Sequence, residues 1–178
     1  MKKIILIGSG GAGKSTLARR LGEALAVEVI HLDKLHWKPN WTSPPKDEWR
    51  KTVRKLIEKD EWVIDGNFNG TMELRMAACD TVIYLDFPRL VCVYRALKRV
   101  LKYYNKTRPD MGEGCRERLD FEFLRWVWTF QKSDKPKIEE RINKLGVDKT
   151  IIRLRSPKEV EDFLADLDFT QKEEPATN

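Results

Sequence analysis

Short apolar runs alternate with longer amphipathic segments along this chain. The first run, Ile4–Ile7, is wholly apolar and mostly β-branched, which is typical of a parallel strand buried on both faces. Similar runs at 27–30, 62–64, 81–85 and 150–154 predict four more strands. Helical spacing of apolar residues predicts helices at about 14–25, 43–59, 72–78, 88–104, 117–131, 133–144 and 156–167. This alternation indicates an α/β fold built on a parallel sheet.

The helix predicted at 88–104 separates apolar from basic residues. Leu90, Tyr94, Leu97, Leu101 and Tyr104 fall on one side, and Arg95, Arg99, Lys102 and Lys106 fall on the opposite side. Seven basic residues and no acidic residue lie between Arg89 and Arg108. Because the whole chain has a formal net charge of only +6, this segment accounts for the excess. We expect it to meet an anionic partner, which could be a polyphosphate, a nucleic acid or a membrane surface.

Composition limits the class of protein. The 178 residues, of which 41% are hydrophobic, are enough for one domain with a core and exclude a disordered chain. Three cysteines without a CxxC pair and two histidines argue against a disulfide framework and a zinc site. We find no secretory signal and no apolar stretch of about 18 residues, so we expect a cytoplasmic protein without a membrane partner. We expect one domain over 1–170, a lid inserted at about 105–116 and a flexible tail at 171–178.

A glycine-rich segment joins the first predicted strand to the first predicted helix. Gly8–Ser15 fits the phosphate-loop pattern G-x-x-x-x-G-K-[ST] at every fixed position. In this pattern backbone N–H groups surround a phosphate, Lys14 reaches the β- and γ-phosphates, and the Ser15 hydroxyl can hold Mg²⁺. We therefore predict ATP and Mg²⁺ as cofactors. The predicted nucleotide-binding residues are Gly8, Ser9, Gly10, Gly11, Ala12, Gly13, Lys14, Ser15, Thr16, Arg155 and Pro157.

Two of these assignments have alternatives. Gly8, Gly10 and Gly13 also fit a dinucleotide fingerprint, with Asp33 following 20 residues after the last glycine. The adjacent Lys14–Ser15 favours the phosphate loop, because the dinucleotide pattern does not require it. Arg155 and Pro157 lie in the loop after the fifth strand, where they either pack on an adenine ring or belong to a helix capping box.

Two aspartates follow predicted strands, at the edge of a parallel sheet where ligands bind. Asp33 and Asp65 have the chemistry to hold Mg²⁺ through water or to accept the proton of an acceptor hydroxyl. The alternative for each is that the carboxylate caps the next turn. Trp37 and Trp41 lie in the loop after Asp33, where they can form a wall of the acceptor pocket and suggest a flat or aromatic acceptor.

The combined motifs resemble those of a known family. The chain resembles the small P-loop kinases of the adenylate kinase and shikimate kinase type, and among them the DNA topology modulation proteins (FlaR-related). The resemblance covers roughly residues 1–167 and rests on segments 8–15, 31–37, 63–68, 80–89, 95–99, 108–111 and 155–157. It implies a three-layer P-loop NTPase fold with strand order 2-3-1-4-5, ATP at residues 8–16, a helical lid with arginines, and an acceptor pocket near Asp33 and Asp65.

The resemblance also implies roles for individual residues. Asp65-Gly66 stands where adenylate kinases have Asp-Gly-Phe-Pro-Arg, and Arg75 can replace the arginine that is missing here. The predicted acceptor-binding residues are Asp33, Trp37, Asp65, Asn67 and Arg75. The predicted catalytic residues are Lys14, Asp33, Arg95 and Arg99, and the predicted lid arginines are Arg108 and Arg116.

Three functions are compatible with these patterns. The leading hypothesis is a kinase that transfers the γ-phosphoryl group of ATP to a small acceptor, such as a nucleotide or nucleoside. The alternative is a nucleic-acid-binding NTPase or DNA topology regulator that uses the basic 89–108 surface. The third is a dinucleotide-binding protein.

Overall fold

Five strands form the centre of the fold. The computed structural model describes the backbone of residues 1–173 and the side chains of residues 1–167. The strands are Lys3–Gly8 (β1), Val29–His31 (β2), Trp62–Asp65 (β3), Thr81–Leu85 (β4) and Thr150–Leu154 (β5). The helices are Lys14–Leu25 (α1), Leu32–His36 (α2), Lys46–Ile57 (α3), Asn69–Ala78 (α4), Arg89–Tyr103 (α5), Phe121–Ser133 (α6), Lys135–Leu145 (α7) and Pro157–Glu173 (α8), and a 3-10 turn spans Pro39–Trp41.

The strands make one parallel sheet in the order β2-β3-β1-β4-β5. This confirms the predicted P-loop NTPase fold class and its strand order. In the dinucleotide fold β2 is the direct neighbour of β1, whereas here β3 lies between them. The fold therefore does not support the dinucleotide alternative.

Alternate strand residues point to opposite faces of the sheet, and helices cover both faces. Ile5, Ile7 and Ile64 pack on one face with residues of α3, α4 and α7. Ile4 and Leu6 pack on the other face with residues of α1, α5, α6 and α8. The result is a three-layer sandwich in which the carboxyl ends of the strands stay uncovered by the helix layers. No helix in the described part of the chain combines the length and apolar character that a membrane crossing requires.

Several boundaries differ from the sequence prediction. Helix α3 begins at Lys46 instead of residue 43, α4 at Asn69 instead of residue 72, and α6 at Phe121 instead of residue 117. Strand β2 begins at Val29 instead of residue 27, because Ala26 is left-handed and the Val27 N–H donates to the Gly22 carbonyl to end α1. Helix α8 continues to Glu173, so residues 171–173 are helical and do not belong to a tail. Residues 174–178 of the predicted tail lie outside the described residues.

Helix α5 has two apolar stripes, and only the one with small side chains packs on the core. The inward residues are the small Cys92, Ala96 and Val100, which are buried. The large apolar side chains of the opposite stripe are exposed, while Arg95 and Arg99 point toward the carboxyl edge of the sheet. A helix that packs on a core ordinarily buries its apolar stripe. In α5 two residues of the basic side, Arg95 and Arg99, face the carboxyl edge of the sheet, and the stripe of large apolar residues is left exposed.

Candidate active site

A cavity of about 990 Å³ opens at the carboxyl edge of the sheet. It brings together most of the residues predicted from the sequence. Those that line it are Gly10, Gly11, Ala12, Gly13, Lys14, Ser15, Thr16, Asp33, Trp37, Asn67, Arg95, Arg99, Arg108 and Pro157. The predicted residues outside its lining are Gly8, Ser9, Asp65, Arg75, Arg116 and Arg155.

The phosphate loop needs its glycines for close contact and for backbone conformation. A Cβ on Gly10 would lie 2.6 Å from the Phe123 ring, and one on Gly11 would lie 2.2 Å from the Cys92 carbonyl oxygen. Gly13 has a φ of 99°, which side-chain-bearing residues rarely adopt, yet its Cβ direction is open toward Arg95. Because Gly10 and Gly11 have no side chains, one side of the loop packs closely against α5 and α6. The other side of the loop, at Gly13, stays open to the cavity.

The side chain of Lys14 folds over the loop. Its Nζ donates hydrogen bonds to the carbonyl oxygens of Gly8 and Ser9, each at 3.0 Å. The first turn of α1, which begins at Lys14, has N–H groups without acceptors inside the helix. An ammonium group and a helix N-terminus thus converge on the same concave loop, which is the arrangement that binds a phosphate.

Asn67 holds the loop from the neighbouring strand. Its Oδ1 accepts from the Gly8 N–H at 3.0 Å and its Nδ2 donates to the Gly8 carbonyl at 2.8 Å. Asn67 was predicted to bind the acceptor. Although it lines the cavity, both ends of its amide are engaged with Gly8, so its observed role is to position the phosphate loop.

Arg75 does not reach the cavity, contrary to the predicted acceptor contact. The side chain is fully buried, and its guanidinium donates to the carbonyl oxygens of Gly66 at 2.8 Å, Phe68 at 3.3 Å and Asn67. Burial lowers the pKa of Arg75 to about 9, which leaves it charged at neutral pH. Arg75 instead fixes the turn that presents Asn67 to Gly8.

The two predicted aspartates occupy different places. Asp65 is buried beneath the cavity and pairs with His31 Nδ1 at 3.0 Å. Asp33 lines the cavity from the first turn of α2. Burial raises the pKa of Asp33, and the neighbouring Asp65 raises it further, while Lys14 and Arg108 act in the opposite direction. Asp33 is thus the carboxylate exposed to a ligand, and Asp65 tunes it electrostatically from below.

Two tryptophans form one wall of the cavity. Both were predicted there, and both line the cavity, with Trp41 at the end of the 3-10 turn. Their ring centroids are 5.8 Å apart in an edge-on arrangement. This wall lies in the same cavity as Asp33 and offers apolar contact to a ligand.

Arg95 reaches the phosphate loop from α5. Its Nη1 donates to the Ala12 carbonyl at 3.3 Å, and its guanidinium lies 5.2 Å from the centroid of the Phe87 ring. A Cβ on Gly13 would come within 3.7 Å of the same nitrogen. Arg95 therefore lies where it can neutralise charge on a phosphate bound in the loop.

Arg99 and Arg108 share one buried carboxylate. Glu117 Oε1 accepts from Arg99 Nε at 3.2 Å and Nη2 at 3.1 Å, and Glu117 Oε2 lies 2.7 Å from Arg108 Nε. Arg108 also donates to Asp110 at 2.9 Å. We call Arg99, Arg108, Asp110 and Glu117 the Glu117 cluster. Its four formal charges balance within the cavity wall.

The predicted lid segment is folded onto its surroundings. The backbone of Asn105 and Lys106 exchanges hydrogen bonds with that of Glu117, which closes the loop at its base. Gly112 lies so close to Trp37 that an added Cβ would be 1.9 Å from the Trp37 carbonyl oxygen. Cys115 Sγ donates to the Lys38 carbonyl at 3.1 Å. In this conformation the segment lies against Trp37 and Lys38, on the tryptophan side of the cavity.

Two predicted arginines point elsewhere. Arg116 is exposed and donates to Asn105 Oδ1 at 3.3 Å. Arg155 is exposed, and its N–H donates to Glu159, which also completes the capping box with Ser156. In this structure neither guanidinium contacts the cavity, whereas Pro157 does.

Glu117 is the main site residue that sequence reasoning missed. It lies between Arg116 and Arg118, so in the sequence it looks like one exposed charge among several. The only available signal was the excess of arginines in 89–108, because buried arginines require a buried carboxylate.

The site residues fit Mg²⁺ as a partner of a bound polyphosphate. In the described residues there is no group of three or more His, Cys, Asp or Glu that could hold a metal ion by itself. Mg²⁺ is commonly bound by one or two protein oxygens together with substrate phosphates. Ser15 and Asp33 both line the cavity and offer such oxygens.

Comparisons with known proteins agree with this fold. Residues 4–120 match the AAA domain family (AAA_33). The shikimate kinase from Acinetobacter baumannii in complex with shikimate superimposes with a TM-score of 0.60 and 17% identity, covering 98% of this chain and 95% of that one. The shikimate kinase from Bacteroides thetaiotaomicron gives a TM-score of 0.50 and 16% identity, covering 95% and 97%. No curated protein matches the sequence.

Proposed function

Because this chain belongs to the AAA domain family, whose match includes the phosphate loop, we propose that it is an ATP-dependent phosphotransferase acting on a small acceptor. The observation that carries the proposal is one cavity that combines a phosphate loop with a separate wall made of Asp33, Trp37 and Trp41. A nucleotide phosphate and a second molecule can therefore meet inside one open cavity. The likeness to shikimate kinases supports the same two-substrate arrangement.

The residues of the chain supply positioning and charge in this reaction. Lys14 and the N-terminus of α1 bind the phosphates, and Arg95 neutralises charge beside Gly13. Ser15 would help to hold Mg²⁺, which would supply positive charge to neutralise the phosphates. Asp33 lines the cavity, and its carboxylate can accept the proton of the acceptor hydroxyl.

The acceptor class follows from the far wall of the cavity. Trp37 and Trp41 suit a flat or apolar molecule, while Asp33 suits a hydroxyl group. A nucleotide or nucleoside, as in adenylate kinase-like enzymes, combines these features. Membership of the DNA topology modulation (FlaR-related) family is part of the same proposal, and is supported by the positions of residues 33 and 66–68 on the cavity.

We also propose that segment 105–116 acts as a lid. Its contacts with Trp37 and Lys38 cover the acceptor side, and exclusion of water would prevent loss of the phosphoryl group to hydrolysis. ATP together with the true acceptor should protect this segment from proteolysis more than ATP alone. Equal cleavage with every ligand would show that the segment does not close on substrates.

The distribution of basic residues in segment 89–108 supports a nucleic-acid-binding function less well than it supports a kinase. Of the seven basic residues in 89–108, Arg95, Arg99 and Arg108 line the cavity, and Arg89 lies over the Trp128 ring. The basic segment is therefore divided between the cavity and the surface instead of forming one continuous strip for a phosphate backbone. We expect duplex DNA to bind only at the non-specific level of about 10⁻⁴–10⁻⁶ M.

The function is tested by an ATP-consumption screen over nucleotides, nucleosides and hydroxylated metabolites, with shikimate included. A productive acceptor should raise ATP consumption well above the rate with water, and Lys14→Ala should abolish the transfer. Lys51→Ala, an exposed lysine on α3, is the matched control and should keep full activity. Melting temperatures should be similar for both variants. Full activity of Lys14→Ala would contradict the proposal.

A further inference from the structure

Five large apolar side chains form an uncovered stripe along α5. Leu90, Tyr94, Leu97 and Leu101 belong to the helix, and Tyr104 follows it directly. Nothing in the described part of the chain covers them. We call these residues the α5 stripe, with exposures of 66% for Leu90, 64% for Tyr94, 38% for Leu97, 81% for Leu101 and 66% for Tyr104.

The spacing within the α5 stripe is that of a helix-pairing seam. Successive members are separated by four, three, four and three residues, which is the a/d pattern of a coiled coil. At about 100° per residue, the five side chains span roughly 80° of the helix surface. Single exposed leucines are ordinary, but a continuous ordered stripe marks an interaction surface.

The charges beside the stripe identify the kind of partner. Lys98 follows the stripe residue Leu97 and is exposed, and no acidic residue occurs between 89 and 108. If a second copy paired antiparallel about Leu97, Lys98 would lie beside Lys98 of that copy. This like-charge contact disfavours a dimer, whereas a glutamate at the flanking position of another helix would pair with Lys98.

We propose that the α5 stripe binds an amphipathic helix of another protein, with apolar residues at a/d spacing flanked by acidic residues. A lipid surface fits less well, because helices that insert into membranes present a broader apolar face than this seam. Helix α5 has 15 residues and is therefore about 22 Å long. A contact between two helices of this length buries less than the roughly 1,200 Å² of a stable interface, so we expect micromolar affinity.

A designed peptide provides the test. The probe is a fluorescent 21-residue helix with Leu at a and d and Glu at e and g, and the matched probe has Lys in place of each Glu. Anisotropy titrations should show the acidic peptide binding at least tenfold more tightly than the basic one. Lys98→Glu should reduce or reverse this preference.

Variants of the α5 stripe distinguish peptide binding at the stripe from non-specific hydrophobic binding elsewhere on the protein. Leu97→Ser/Leu101→Ser should abolish binding of the acidic peptide without changing the melting temperature. Val147→Ser is the matched control, because Val147 is 89% exposed and lies outside the stripe. Equal binding of both peptides, or no binding of either, would overturn the proposal.

Two further measurements test whether a second copy of the chain or a lipid surface binds the α5 stripe instead. Sedimentation velocity of the protein alone should show a monomer, and vesicles of phosphatidylserine and phosphatidylcholine should not pull the protein down. A dimer that Leu97→Ser/Leu101→Ser dissociates would overturn the proposal in favour of self-association. Vesicle binding lost in the same variant would overturn it in favour of a membrane surface.

Discussion

Asn67 and Gly8 exchange two hydrogen bonds, at 3.0 and 2.8 Å, which tie the turn after β3 to the start of the phosphate loop. The loop is therefore braced by an adjacent strand as well as by its own chain. Arg75 supports the brace from below through the carbonyl groups of the turn. Residues that never touch a phosphate thus determine where the loop lies.

Removal of this brace should weaken nucleotide binding. In Asn67→Ala the Gly8 N–H loses its partner in a part-buried place, while the Gly8 carbonyl keeps only Lys14 Nζ, which should cost about 1–3 kcal/mol of stability. We expect the Kd for a non-hydrolysable ATP analogue to rise about tenfold in calorimetric titration. Asn143→Ala, at an exposed position of α7, is the control and should leave both quantities unchanged. An unaltered Kd in Asn67→Ala would show that the loop does not depend on this contact.

Disruption of the Glu117 cluster should lower the stability of the protein and raise its affinity for anions. Glu117→Gln leaves Arg99 and Arg108 without their shared charge, which should lower the free energy of unfolding by about 3 kcal/mol. The released guanidinium groups should then bind tripolyphosphate more tightly than in the parent protein. Differential scanning fluorimetry with and without tripolyphosphate measures both effects. Glu113→Gln, exposed in the same segment, should show neither. A variant that loses stability without gaining affinity would mean that the cluster is purely structural.

Gly112 should be essential for packing of the predicted lid. In Gly112→Ala the new Cβ meets the Trp37 carbonyl oxygen at 1.9 Å, so the segment must move away. We expect faster cleavage within residues 105–116 in limited proteolysis. Gly70→Ala is the control, because a Cβ there meets nothing within 4 Å and favours the helix. The same cleavage rate in both variants would show that the segment tolerates the displacement.

The pH dependence of activity should report the environment of Asp33. Burial and Asp65 raise the pKa of Asp33. In the proposed reaction the ionised form of Asp33 accepts the proton. The rate constant kcat/KM should therefore fall as the pH drops through a value above the ordinary aspartate range. Asp65→Asn removes the repulsion and should move this acid limb to lower pH. An acid limb that stays in place in Asp65→Asn would exclude Asp33 as the titrating group.

The fold could be predicted because its signals are local. The run Ile4–Ile7 and the pattern Gly8–Ser15 identify the central strand and the phosphate loop without knowledge of distant contacts. The boundaries of α1 and of the strand at 81–85 agree with the structure for the same reason. The strand order came from the resemblance, since periodicity carries no information about which strands are neighbours.

The site was harder to predict because its decisive contacts are distant in sequence. Arg75 looks like an exposed helix residue until the carbonyl groups of residues 66–68 surround it. The importance of Glu117 depends on Arg99, which lies 18 residues earlier, and on the folding of the segment between them. The orientation of α5 could not be inferred either, because arginines that face a polar cavity are as well satisfied as arginines in water.

Helix α5 carries two surfaces on a single rigid element. Arg95 and Arg99 approach the phosphate loop from one side, and the α5 stripe lies on the outer side. A displacement of the helix by an outside partner would move both guanidinium groups relative to the loop. By thermodynamic linkage, any factor by which such a partner changes nucleotide affinity must equal the factor by which the nucleotide changes affinity for the partner. Occupancy of the cavity could in this way be communicated to another protein through the position of one helix.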